Sequence, residues 1–314
     1  MNSTGPDFTI QGLTDIPELQ LPIFLIFLIA YFIIIWGNMT LFIAVLSDAN
    51  IHTPMYIFLM KLSFIDIMST SNVLPELLYI LLTKRKTISF AGCISQMYVF
   101  TFLTCTEYVL LAVMAYDRYV AICHPLRYCI LMSLRHCALL IMCAWTIGLT
   151  DPMPHAVLIS KMSFCASHLI DHFFCDVSPV LKLSCSDMTV VEILTYAGGV
   201  FVVIPAFMLT LISYVFIIST ILKIKSSEGR RKAFSTCASH LTSVTIFYWT
   251  ILCLYLRPTS SYSPKQDKFF AIIYAVLVPL LNPIIYSLKN QEVQAALLKL
   301  KNKIAFCSKG PDWE

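Results

Sequence analysis

Long uninterrupted apolar runs, rather than alternation, organise this chain. Leu21 to Leu46 holds no charged residue over 26 positions. At about 1.5 Å per helical residue, such a run crosses roughly 30 Å of hydrocarbon with some tilt. Six further runs lie near Pro54 to Leu82, Cys93 to Cys123, Cys137 to Ile159, Ile193 to Leu222, Ala233 to Leu256 and Phe269 to Leu288. The pattern predicts an all-α membrane protein: a seven-transmembrane helix bundle over residues 21–288, preceded by a polar segment 1–20 and followed by a tail 289–314. The polar start lacks the basic, apolar, small-residue order of a cleaved signal, so the first run is expected to stay as anchor and address. In the tail, Val293, Leu297, Leu300 and Ile304 recur in steps of four, three and four, with Lys299, Lys301 and Lys303 on the other side. Asn290 to Ile304 should therefore form a short amphipathic helix on the inner leaflet, with Cys307 just beyond it as a position for a palmitoyl group.

Composition points the same way. The 314 residues are 58% hydrophobic and only 13% charged, about half the charged share of roughly 25% in soluble domains. Mean hydropathy is +0.77. Soluble enzyme folds, disordered chains and nucleic-acid modules are excluded, and lipid is the expected surrounding partner. A net charge of +4 is too small to imply a polyanion, but its distribution gives orientation. The loops after spans one, three and five plus the tail carry thirteen Lys and Arg against eight on the other face, which assigns the tail to the cytoplasm. An extracellular N-terminus agrees with the glycosylation acceptor Asn2-Ser3-Thr4. The expected location is the plasma membrane, multi-pass.

Four of twelve cysteines, Cys93, Cys165, Cys175 and Cys185, fall on the proposed outer side. An even number in an oxidising compartment predicts two disulfides from three possible pairings, one of them tying the long loop after span four to span three. Cys165, His168, His172 and Cys175 also have metal-ligand spacing. Disulfide formation would consume both thiolates.

Asp66 and Glu107 lie midway along spans two and three, the only charges read at depth. A carboxylate at the bilayer centre costs at least about 2.5 kcal/mol. A sodium ion between them, with Asn282 near by, would relieve their repulsion; protonated, hydrogen-bonded acids are the alternative. Asp117-Arg118-Tyr119 ends span three as an adjacent acid and base, able to act as a helix stop or as a latch. Pro283 removes one backbone hydrogen bond from span seven, frees a carbonyl and lets the helix bend beside Asn282.

The order of these features carries a resemblance. Gly37-Asn38, Asp66, Cys93, Asp117-Arg118-Tyr119, Trp145, Tyr214 and Asn282-Pro283-Ile284-Ile285-Tyr286 resemble the rhodopsin-like G-protein-coupled receptors. Four longer stretches are similar to the odorant (olfactory) receptors: Pro54-Met55-Tyr56, Met114-Ala115-Tyr116-Asp117-Arg118-Tyr119-Val120-Ala121-Ile122-Cys123, Lys232-Ala233-Phe234-Ser235-Thr236-Cys237-Ala238-Ser239-His240-Leu241 and Pro279-Leu280-Leu281-Asn282-Pro283-Ile284-Ile285-Tyr286-Ser287-Leu288. The context of Glu107 resembles the tetrapod-type class II branch. The resemblance implies the pairings Cys93 with Cys175 and Cys165 with Cys185, coupling to a stimulatory olfactory G protein, and a rise in cyclic AMP. Trp249 departs from the family's usual glycine after Phe247-Tyr248, and a bulky indole there is expected to alter the packing of span six.

The resemblance also bounds the ligand. Phe100 stands where amine receptors carry an aspartate, which disfavours a charged amine, and Val276 stands where opsins carry the retinal lysine. Met97, Thr101, Thr104, Cys105 and Tyr108 share one face of span three. By family analogy Gly199, Val202, Tyr248, Ile251, Tyr255, Ile272 and Ala275 complete a cavity for a small, mostly apolar, volatile molecule. Contact near Tyr248 is expected to shift span six, release Arg118 from Asp117 and let Tyr214 and Tyr286 steady the opened face. A transporter or channel would show an internal repeat or a polar pathway, and neither is found. No nucleophile and base pair at depth suggests an enzyme, and use of the same receptor type outside the nose for a metabolite is the nearer alternative.

Overall fold

The computed structural model describes residues 7–48, 51–165, 167–255, 263–288 and 293–299. Asn2 and Cys307 lie outside the described residues, as does the Tyr255 side chain. Span one is Pro17–Ser47, span two Pro54–Thr83 and span three Phe90–Cys123. Span four is Leu134–Thr150 continued by Met153–Ile159. Span five runs from Thr189–Gly198 through a wider turn at Gly199–Val203 into Ile204–Leu222. Span six is Ser227–Tyr255, and span seven runs Pro264–Ile272, Ile273–Leu277 and Val278–Leu288. Six of these are long and apolar enough to cross a membrane, and His240–Cys253 supplies a shorter apolar stretch in span six. Together they make a seven-helix bundle, with a further helical segment over residues 293–299.

Boundaries follow the local chemistry. Spans one and two begin on prolines at the first helical turn, where the missing N–H has no helical partner to lose. Span six starts six residues before the expected Ala233 and span seven five before Phe269, because each adds a polar first turn that hydropathy alone does not register.

Small residues set the closest approaches. A Cβ on Gly148 would sit 2.0 Å from Thr106 Oγ1 and 2.9 Å from the Phe102 carbonyl oxygen, so spans three and four touch backbone to backbone. On Gly37 it would lie 3.0 Å from the Pro283 ring. Pro283 leaves the Pro279 carbonyl without its helical donor; Asn38 Nδ2 donates to that carbonyl at 3.0 Å and ties span one to the break in span seven. Large apolar side chains face away from the bundle, among them Trp36 at 78% and Phe201 at 77% exposure, as a lipid-facing surface requires. Trp249 is 65% exposed on the same outward surface, so the indole points away from the bundle interior.

A three-stranded sheet, absent from the helical reading, caps one end. Strand β1 (Phe8–Ile10) pairs antiparallel with β2 (Thr87–Ile88) and parallel with β3 (Leu169–Ile170). Strands this short leave no periodic signal; they form because Phe8 and Ile10 bury completely against Ile80, Met97, Ile159 and Val180. Disulfides Cys93–Cys175 and Cys165–Cys185 fix the long loop beneath this cap. They also use the two cysteines of the Cys165, His168, His172, Cys175 metal spacing, and among the described residues no three or more His, Cys, Asp or Glu side chains gather as a metal site would require.

Candidate functional site

The capping loop folds into the mouth of the bundle. His172, Phe173 and Phe174 are buried, with His172 stacked on Phe173 at 4.7 Å between ring centres. Burial, reinforced by the charge of Lys268, holds the His172 pKa down to about 3, so the imidazole is neutral. Lys268 Nζ donates to Asp171 Oδ1 at 2.7 Å. At the surface of the same end, hydrogen bonds from Lys86 and Gln11 hold the Asp15 carboxyl below its ordinary range, and those from Thr189 do so for Asp187. Gln96 Oε1 accepts from the Cys175 backbone N–H at 2.9 Å, anchoring the loop to span three next to the disulfide.

Beneath the loop is a cavity of about 110 Å³ between spans three, four, five and six. The structure brings Thr101, Thr104, Cys105, Tyr108, Gly199 and Ile251 together on its wall. It adds Asp151, His155, Val177, Thr195, Tyr196, Gly198, Val203 and Leu252, which the sequence reading did not assign. Asp151 and His155 flank the Pro152 break in span four. They could have been found: an ionisable residue inside an apolar run marks a site by default, so charge at depth is not confined to Asp66 and Glu107. Asp151 Oδ2 accepts from the Cys105 thiol at 3.4 Å.

Five expected wall residues lie elsewhere. Met97 belongs to the capping cluster with Phe8 and Ile159, a turn nearer the disulfide end. Val202, Ile272 and Ala275 pack into the main core. Tyr248 stands behind the wall, donating its hydroxyl to the Tyr108 carbonyl at 2.9 Å. Span seven is excluded from the cavity because aromatic rings fill the space in front of it: Phe100 packs on Phe174 at 4.7 Å and on Tyr274 at 5.3 Å, and Phe247 on Tyr274 at 5.6 Å. Phe100 is thus core, not cavity wall.

Deeper in the bundle, Asn282 Nδ2 donates to both oxygens of buried Asp66, at 3.0 and 3.3 Å. Glu107 Oε2 accepts from the Tyr274 hydroxyl at 3.5 Å, whereas buried Oε1 has no partner among the described residues. At the end away from the disulfides, Arg118 Nε donates to Asp117 Oδ2 at 3.0 Å and the Tyr128 hydroxyl to Asp117 Oδ1 at 2.8 Å. Asp117 is fully buried. Burial and the negative charge of Asp117 push the Tyr128 hydroxyl pKa up, so it remains a donor. Tyr119 bonds His124 at 2.9 Å, and Tyr214 bonds buried His240 at 2.6 Å across spans five and six. Tyr286 is buried near by in the core.

Comparison with known proteins agrees with this architecture. The sequence model described as olfactory receptor matches residues 27–303. Human olfactory receptor 13G1 is 46% identical over 299 residues, covering 95% of this chain and 97% of the relative. Mouse olfactory receptor 5AP2 is 48% identical over 294 residues, covering 94% and 93%, and mouse olfactory receptor 5AR1 is 45% identical over 302, covering 96% and 97%. The chain therefore belongs to the olfactory receptor family, making it a multi-pass, odorant-sensing receptor that couples to G proteins and is not an enzyme.

Proposed function

We propose that the receptor sits in the plasma membrane with its N-terminus outside, takes a small, largely apolar volatile molecule into the cavity between spans three and six, and activates a stimulatory olfactory G protein to raise cyclic AMP. The observation that carries this reading is the pairing of two features: a mostly apolar cavity beneath a disulfide-fixed loop, and the Arg118–Asp117–Tyr128 network at the far end. Disulfides belong to an oxidising compartment, so the cap faces outward and Asp117 inward. A guest in the cavity gains about 25 cal/mol per Å² of apolar area it buries. It signals only by binding one receptor state better than the other.

Ile251 and Leu252 carry the ligand's contact into span six, and Tyr248 links that helix to the Tyr108 backbone. A shift of span six disturbs the Tyr214–His240 bond at its far half and exposes Arg118. Release of Arg118 from Asp117 opens a groove for the terminal helix of the G protein, with Tyr119, Tyr214 and Tyr286 rearranging around it and the bend at Asn282–Pro283 giving span seven its freedom. Asp66 and Glu107 form a site for a sodium ion: the unpartnered Glu107 Oε1 beside the Asp66–Asn282 pair is an oxygen ligand without a donor. Asn2 carries a glycan.

The test is a cyclic AMP reporter screen of volatile odorants on cells displaying the receptor. At least one odorant should raise cyclic AMP in wild type and fail to do so in surface-expressed Arg118→Ala. Silence of the wild type across the screen, or undiminished signalling by the variant, would overturn the reading.

A further inference from the structure

The threonine hydroxyls on the cavity wall each lie within hydrogen-bond reach of a carbonyl of their own helix. Thr101 Oγ1 donates to the Met97 carbonyl at 2.9 Å, Thr104 Oγ1 to that of Phe100 at 2.8 Å, and Thr195 Oγ1 to that of Val191 at 2.9 Å. A hydroxyl has one proton to give, so Thr101 Oγ1 here only accepts, while Thr104 Oγ1 also lies 2.6 Å from the Tyr274 hydroxyl, where either can donate. Thr195 Oγ1 also lies 3.2 Å from His155 Nε2. His155 Nδ1 is buried with no partner among the described residues. The Cys105 thiol donates to Asp151 and pairs with the Tyr108 hydroxyl.

What remains is Asp151. Its carboxylate lines the cavity, packs against Gly198 so closely that a Cβ there would come within 3.1 Å of Oδ1, and has only the weak thiol donor for a side-chain partner. Among the described residues no Lys, Arg or His forms an ion pair with it. An uncompensated carboxylate inside a membrane-spanning bundle needs a cation, and among the described residues that line the cavity there is no Lys or Arg. The volume limits the guest: an apolar cavity of about 150 Å³ holds benzene.

We propose that this cavity selects a small protonated aliphatic amine of about six non-hydrogen atoms, its ammonium paired with Asp151 and its hydrocarbon lying against Val203, Ile251 and Gly199. The assignment rests on the reading of this cavity as the odorant site and deepens it. The aspartate that span three lacks at Phe100 is supplied from span four instead. Carboxylic acids of the same skeleton are rejected, since their charge meets Asp151 and their oxygens meet oxygens. Alcohols of the same shape can donate to Asp151 but leave its charge unpaired.

The experiment compares 3-methylbutylamine, 3-methylbutan-1-ol and 3-methylbutanoic acid on the full-length receptor at neutral pH, where an aliphatic amine is protonated. Two readouts are taken: reporter response in cells, and ligand-induced thermal stabilisation of purified receptor, which requires no G protein. The amine should act at a concentration at least ten-fold lower than the alcohol, with the acid inert, because charge-assisted hydrogen bonds are about twice as strong as neutral ones. Asp151→Asn should lose at least ten-fold of the amine's potency and narrow the gap to the alcohol. The comparison within wild type stands even where that variant fails to fold. An alcohol or acid as potent as the amine, or an amine unaffected by Asp151→Asn, overturns the inference. So does an inert amine on a receptor that other odorants activate; that result leaves the receptor reading intact, whereas silence to every odorant removes the reading itself.

Discussion

Gly148→Ala is the sharpest structural perturbation available in the bundle. The added methyl would stand 2.0 Å from Thr106 Oγ1, 2.9 Å from the Phe102 carbonyl oxygen and 3.0 Å from the Thr106 nitrogen. Thr106 can swing its hydroxyl away only by abandoning its 2.9 Å bond to Phe102, and the two backbone atoms cannot yield without moving span three. Overpacking of this kind costs about 1–3 kcal/mol, partly offset by the roughly 0.5–1 kcal/mol helix preference of alanine over glycine. The net loss of about 1–2 kcal/mol changes the folded population ratio by about 5–30-fold. Gly199→Ala is the internal control, because its new methyl meets nothing within 4 Å and should leave stability unchanged or raised. The assay is the melting temperature of purified receptor together with its cell-surface fraction. Gly148→Ala should lower both, and adding Thr106→Ala should restore part of the loss but not all, since the Phe102 oxygen remains. A Gly148→Ala receptor melting at or above wild type would refute a backbone-level contact between spans three and four.

Three further outcomes follow from the geometry. Removing the Tyr128 hydroxyl in Tyr128→Phe deletes a 2.8 Å bond to Asp117; a hydrogen bond to a charged group contributes about 1.5–3 kcal/mol, so ligand-independent signalling should rise about ten-fold or more at equal surface expression. His172, with a folded pKa of about 3 against 6.5 for the free side chain, is protonated first in the unfolded state. Its contribution is therefore complete above pH 6.5 and falls with acidification, by about 2 kcal/mol at pH 5. Thermal melts between pH 7 and 5 should show that loss, and His172→Gln should remove it. Glu107→Gln should abolish any stabilisation of the receptor by sodium over potassium, read as the difference in melting temperature between the two salts.

Much of the fold was legible because hydropathy over about 20 residues is a strong signal. The uncharged runs locate spans one and five to within four residues at each end, and the Asn282–Pro283 pair announces a bend whose freed carbonyl is met by Asn38. The cap was not legible, since strands of two or three residues carry no period and their partners lie far apart along the chain. The cavity was half visible. Helical spacing placed Thr101, Thr104, Cys105 and Tyr108 on one face, but spacing cannot say which neighbouring helix that face meets. Aromatic packing around Phe100, Phe247 and Tyr274 closes the route to span seven, and the Asp151-Pro152 break opens span four toward the cavity. Asp151 gives a weaker sequence signal than Asp66 and Glu107 because it sits at the break between the two helices of span four rather than midway along an unbroken one.

Nucleotide exchange on purified stimulatory G protein, driven by an odorant and purified receptor, measures the link between cavity and transducer most directly. Filling the cavity with Gly199→Leu, at a position open to it, should raise the odorant concentration needed at least ten-fold while the receptor keeps its melting temperature. Equal odorant potency in the two receptors would contradict the claim that this cavity receives the ligand.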